Sequence, residues 1–270
     1  KDWRDIIIYA IALVVATLGI IFIWGMLPDD VADIITYVGF AVGIIGLGTV
    51  IFKGTNGSAE WSRMIVIIVL AFFNIAFWAG FEQAGGTMNL FAKENTDRLL
   101  FGWEVPATWY QNINPIAILI FAPIFSIMWL KLDAMKFNPR TPIKFAIGLF
   151  LGAFAFWIMT QASNAADGGS LVSPWWLVIV YVVLTLGELM LSPIGLSMIT
   201  KLAPKKLVSV VMGLWMASFA AGNYLAGMLE SILHKYDFQL YPFITMLMLG
   251  SGLCLIVLSP FLNKAMKGIH

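Results

Sequence analysis

Apolar runs of about 20 residues, separated by short stretches of proline, glycine and charge, recur along the chain at 6–26, 33–52, 64–91, 113–132, 143–162, 174–198, 208–232 and 241–263. A helix needs about 20 apolar residues to cross a hydrocarbon core about 30 Å thick. The runs are apolar all round, whereas membrane-barrel strands alternate polar and apolar positions in segments of about 10 residues. The pattern therefore predicts an all-α, polytopic membrane protein with eight transmembrane helices.

Composition agrees with the pattern. Of 270 residues, 60% are hydrophobic and 11% charged, against roughly 25% charged in an ordinary soluble domain. A flexible stretch, Lys53-Gly54-Thr55-Asn56-Gly57-Ser58, divides the runs into an auxiliary helix pair with its linker, residues 1–57, and a six-helix bundle, residues 58–270. The first pair has no ionisable residue in mid-span and reads as structural. The spacings Gly39-x-x-x-Gly43 and Gly148-x-x-x-Gly152 permit close helix approach. The chain opens on Lys1-Asp2-Trp3-Arg4 with neither an initiator Met nor a leader pattern, and is expected to be an internal or C-terminal piece of a longer protein.

The placement of charge gives an orientation. With the N-terminus in the cytoplasm, 13 of the 16 basic residues fall on the inner side, and only Lys93, Arg98 and Lys235 fall outside. Basic residues favour cytoplasmic loops, so both termini are expected there. Trp103, Trp109, Trp175 and Trp176 lie at span ends as interfacial anchors. The basic residues form no stripe, so nucleic acid is not an expected partner. The single cysteine, Cys254, excludes an intrachain disulfide and reads as a small buried hydrophobe.

Charge inside a span is expensive, at least about 2.5–3.5 kcal/mol at the bilayer centre, and marks function. Two acids lie well inside, Glu82 and Glu188. Glu82 follows Trp78 by one turn among Gly80, Gly85 and Gly86, which reads as a charged cavity wall in a helix free to bend. Glu188 precedes Ser192 by one turn, and Pro193 lacks the N–H that would bond the Leu189 carbonyl. A carboxylate, a hydroxyl and a freed carbonyl form a cluster of acceptors suited to an ammonium group or a proton. No Lys, Arg or His occupies the middle of any span. The two carboxylates are therefore protonated, face water, or pair with cations from a substrate or from another part of the protein.

Enzyme chemistry finds no footing. There is no H-E-x-x-H, no His cluster for a metal, no Ser-His or Cys-His pair within the membrane and no glycine-rich phosphate loop. No metal site is expected.

Several stretches resemble the proton-dependent oligopeptide transporter family, a branch of the major facilitator superfamily. They are Phe81-Glu82-Gln83 running into Met88-Asn89-Leu90-Phe91-Ala92, Asn112-Ile113-Asn114-Pro115 with Ala122-Pro123-Ile124-Phe125, the segment from Gly187 to Ser197, Met212-Gly213-Leu214-Trp215, and Ala221-Gly222-Asn223. The resemblance implies an auxiliary helix pair followed by a C-terminal six-helix bundle, with the N-terminal six-helix bundle as its absent partner. It implies that Glu188, with Asn114 as companion, binds the amino terminus of a small peptide, that Ser192 and Trp215 line the cavity or couple gate motion, and that Trp78 is an aromatic of the pocket wall. Glu82, with Gln83 beside it, resembles the glutamate that pairs with an N-bundle arginine in gating, and Asp97 resembles an outer-gate residue. The implied activity is proton-coupled symport of di- and tripeptides in a bacterial inner membrane, with H+ as the coupling ion and no other cofactor. A relative moving nitrate or another small solute, or a non-transporting scaffold, are the alternatives.

Overall fold

The computed structural model describes residues 27–236 and 238–266. The expected span 6–26 lies outside them. The chain divides at Lys53/Gly54 into two compact units. The described part of the first is helix α1 (Asp29–Gly54), which exposes Val42, Ile44, Ile45 and Phe52. Its 26 residues reach about 39 Å at about 1.5 Å per residue.

The second unit holds six helical segments long and apolar enough to cross a membrane. In chain order they are α2 (Gly57–Phe81), which continues through a 3-10 turn (Glu82–Ala84) into the short α3 (Thr87–Glu94), then α4 (Ile113–Ala134), α5 (Thr141–Ala166), α6 (Trp175–Leu202), α7 (Val208–Lys235) and α8 (Leu240–Ala265). Six of the eight apolar runs read from the sequence, from 64–91 to 241–263, lie within these segments to within a residue, and the run 33–52 lies in α1. Helical backbone satisfies its own N–H and C=O groups, as hydrocarbon demands. Local chemistry sets the ends: Glu60 accepts the Asn56 N–H at 2.7 Å at the start of α2, and Pro142 occupies the first turn of α5.

Helix α5 runs along α8 and α6, while α2 packs against α7 and α8. Two glycines allow the closest crossing. A methyl on Gly148 of α5 would stand 2.9 Å from the Gly187 carbonyl of α6, and a methyl on Gly187 would stand equally close to the Gly148 carbonyl. The backbones thus meet with no side chain between them. Met248 of α8 fills the hollow left by Gly80 on α2 and Gly152 on α5. Phe77, Phe145, Leu149, Phe156 and Met159 are fully enclosed there, while Leu119, Leu130, Phe154, Val257 and Phe261 are exposed. Apolar residues both inside and outside are the signature of a bundle whose surroundings are lipid. Helix α4 is the least enclosed, with Ala117 alone buried.

One element was not foreseen. Between α3 and α4 the chain folds back as a two-stranded antiparallel hairpin, Leu99–Leu100 with Trp103–Glu104. Its two-residue turn places Phe101 and Gly102 at φ 53° and 82°, the left-handed pair that such turns need. The ion pair Arg98 to Glu104 closes its base, and Arg98 Nη1 donates to the Val105 carbonyl at 2.8 Å.

Candidate functional site

Helices α4 and α6 bring together one pair that the sequence separates by 74 positions. Asn114, in the first turn of α4, donates from Nδ2 to Glu188 Oε2 at 2.9 Å and to Thr185 Oγ1 at 3.0 Å. Thr185 and Glu188 are three residues apart and share a face of α6. The Thr185 hydroxyl in turn donates to the Tyr181 carbonyl at 2.8 Å. The Glu188 side chain remains half-buried. Helix α6 continues through Pro193 without a break. Ser192 Oγ, one turn below Glu188, is shielded and has no hydrogen-bond partner.

The second acid stands where α2 ends. Glu82 opens the 3-10 turn before Gly85 and Gly86. Asn223 of α7, with its amide nitrogen turned toward the acceptors around it, donates to the Phe219 carbonyl at 2.9 Å and to Glu82 Oε1 at 3.3 Å. Tyr181, reaching from α6, donates its hydroxyl to the Ala84 carbonyl at 2.9 Å. That bond ties the turn after Glu82 to the helix that carries Glu188.

Gln83 points away from this opening. It is 2% exposed, donates to the Ala226 carbonyl of α7 at 2.9 Å and accepts from Thr87 Oγ1 at 2.9 Å. Its amide clamps the break of α2 onto α7. Trp78 packs between Phe81 and Phe219, with ring centroids at 4.8 and 4.7 Å. Trp215 is fully buried against Phe145 and Phe219, and Gly195 of α6 leaves the space for its ring. It reaches no open space in this arrangement. The indole N–H groups of both tryptophans are enclosed and unpartnered.

Asp97 sits apart from the two glutamates' hydrogen-bond network. Its backbone N–H donates to the Val172 carbonyl at 2.8 Å, and its carboxylate accepts the Leu99 N–H at 3.1 Å. It belongs to a clasp between the loop before the hairpin and the loop joining α5 to α6.

The structure adds Thr185, Tyr181 and Asn223 to the residues singled out from sequence. Thr185 and Tyr181 carried no signal beyond a position three and seven residues before Glu188. Asn223 stood out as an amide within a span, but its partner was not legible. Among the described residues no group of three His, Cys, Asp or Glu side chains is placed to hold a metal ion.

Fold and site together define a polytopic α-helical membrane protein whose bundle carries two half-buried carboxylates, Glu188 held by Asn114 and Glu82 held by Asn223. Residues 43–246 match the profile described as the POT family, and the chain belongs to that family. It is similar to a peptide transporter of Yersinia enterocolitica subsp. palearctica, YePEPT, with 40% identity over 67% of this chain and 36% of the relative. It is also similar to an uncharacterized transporter of Bacillus subtilis, YclF, with 33% identity over 98% of this chain and 52% of the relative. A crystal structure of a peptide transporter POT, an E310Q mutant bound to sulfate, superposes with a TM-score of 0.79 at 32% identity, over 99% of this chain and 56% of that one. The chain thus spans about half or less of the length of these relatives.

Proposed function

We propose that this chain is the C-terminal half of a proton-coupled symporter of di- and tripeptides that works by alternating access. The bond from Asn114 to Glu188 carries the reading. It holds a carboxylate in one orientation on a half-buried face, as recognition of a peptide ammonium requires. The names of relatives, among them peptide transporters and a dipeptide and tripeptide permease, support the substrate class. The shares of the relatives that the chain covers support a partner half of comparable size.

Helix α4 supports the same point, because it carries Asn114 yet buries only Ala117. A polar group in mid-membrane needs protein or water beside it rather than hydrocarbon. The partner half would complete the cavity and supply the cations for the peptide carboxylate that this chain lacks in the middle of its spans. Residues 1–57 serve as the auxiliary pair and 58–270 as the bundle. The charge asymmetry of the loops supports cytoplasmic termini, and the bacterial origin of the relatives supports the inner membrane.

In this scheme a proton taken up by Glu82 or Glu188 changes the strength of that carboxylate's ion pair and shifts the balance between inward- and outward-open states. Glu82, held by Asn223 where α2 breaks, is placed to respond, and Gln83 anchors the break. Dipeptide uptake by the full-length protein in proteoliposomes tests the proposal. Glu188→Gln keeps the side chain's shape and removes its charge, and is expected to lower dipeptide affinity by tenfold or more. Unchanged affinity and uptake would exclude the ammonium role.

A further inference from the structure

A cleft of 720 Å³, which neither Glu82 nor Glu188 lines, lies where the C-terminal ends of α4 and α6 meet the start of α5. Its wall is divided by chemistry. Phe125, Ile194 and Met198 line its deeper part, while Lys144, Lys201 and Asp133 stand with polar neighbours at its rim. We propose that this cleft binds an anionic phospholipid, with the headgroup phosphate at the two lysines and the glycerol end of the acyl chains on the apolar wall.

Three observations carry the proposal independently of the transport reading. The first is charge. Among the described residues that line the cleft, the ionisable ones are Lys144, Lys201 and Asp133, and Lys144 lies within electrostatic range of the other two. Asn138 Nδ2 already donates to Asp133 Oδ1 at 3.2 Å, which occupies part of that carboxylate. Lys131, Lys136 and Arg140 surround the same end of the bundle. Basic pockets between membrane helices attract anionic headgroups.

The second is geometry. The Lys144 ammonium stands 4.1 Å from the Trp129 ring centroid, so the aromatic face restrains the cation at the rim. Trp129 is itself five residues from the end of α4, the depth at which indoles settle at headgroups. Thr141 brings the N-terminal turn of α5, with its partial positive charge, to the same rim.

The third is the division of the wall. A free phosphate could match the ammonium groups but would leave the apolar part of the cleft without an occupant. A phospholipid matches both halves in the order in which the membrane presents them, polar at the helix ends and apolar toward the interior.

The test uses the full-length transporter, stripped of lipid in detergent. Phosphatidylglycerol, phosphatidylcholine with the same acyl chains, or inorganic phosphate is added, and native mass spectrometry reads retained lipid while thermal unfolding reads stabilisation. Phosphatidylglycerol is expected to be retained and to raise the unfolding temperature, and the other two to do neither. Lys144→Gln with Lys201→Gln is expected to lower phosphatidylglycerol retention at least tenfold, Lys144→Arg with Lys201→Arg to preserve it, and Asp133→Asn to strengthen it. The Asp133→Asn arm keeps the test decisive if the double Gln variant does not fold. Equal retention of phosphatidylcholine, full retention by the double Gln variant, or no gain from Asp133→Asn would overturn the lipid site. Equal stabilisation by inorganic phosphate would replace it with a free-anion site.

Discussion

Asn114 on α4 and Glu188 on α6 are joined at 2.9 Å, and the same amide nitrogen reaches Thr185 Oγ1 at 3.0 Å. One side chain therefore fixes both the rotamer of the acid and the approach of two helices. A hydrogen bond to a charged group contributes about 1.5–3 kcal/mol. If Glu188 meets the substrate as a carboxylate, Asn114→Ala should weaken dipeptide binding by roughly 10- to 100-fold without preventing folding. Thr185→Val keeps the shape and removes only the second acceptor, so its effect on binding should be smaller. Equilibrium binding to the two single variants and the double variant checks this, and strictly additive effects would mean that the three groups do not act as a unit.

Gln83 follows Glu82 directly but behaves as a rivet between α2 and α7. Replacing it with Leu leaves the Ala226 carbonyl and the Thr87 hydroxyl without their partner in an enclosed place. The expected cost is about 1–3 kcal/mol, visible as a lower unfolding temperature of the purified protein. Peptide affinity in variant molecules that remain folded should change little. A large loss of affinity with unchanged stability would instead place Gln83 at the substrate.

The crossing of α5 and α6 makes a purely steric prediction. Gly187→Ala or Gly148→Ala puts a methyl about 2.9 Å from a facing backbone carbonyl, which the helices can relieve only by moving apart. Overpacking of this kind costs about 1–3 kcal/mol. Gly250→Ala on α8, where nothing lies within 4 Å, should leave the unfolding temperature unchanged or slightly raised, since Ala is the better helix former. Equal behaviour of Gly187→Ala and Gly250→Ala would show that the crossing is looser than described.

Sequence reading reached the all-α, membrane-spanning architecture because lipid leaves the backbone few choices. An apolar run of sufficient length must satisfy its own N–H and C=O groups, so length and composition alone declare the helix. The six spans of the bundle appear where their apolar runs lie. Glu82 and Glu188 stood out for the same reason, since each is an expensive exception to that rule. The hairpin at Leu99–Leu100 escaped because its cause is a two-residue turn at Phe101 and Gly102 with no apolar pattern behind it. Gln83 read as a companion of Glu82 by adjacency, although successive residues on a helix point in different directions and only packing shows where each one ends.

The residues themselves thus dictated the solvent, the helices and which side chains were costly enough to matter. Tertiary packing settled the partnerships. Asn114 meets Glu188 across 74 positions and Gln83 meets Ala226 across 143, and neither distance has a period that a pattern could reveal. Trp215, read as lining the cavity or coupling gate motion, is enclosed where Gly195 makes room for it. Periodicity reports which residues share a face of one helix. The register and closeness of two helices are set by small residues at their crossing, such as Gly148 and Gly187, and that information exists only once both helices are in place.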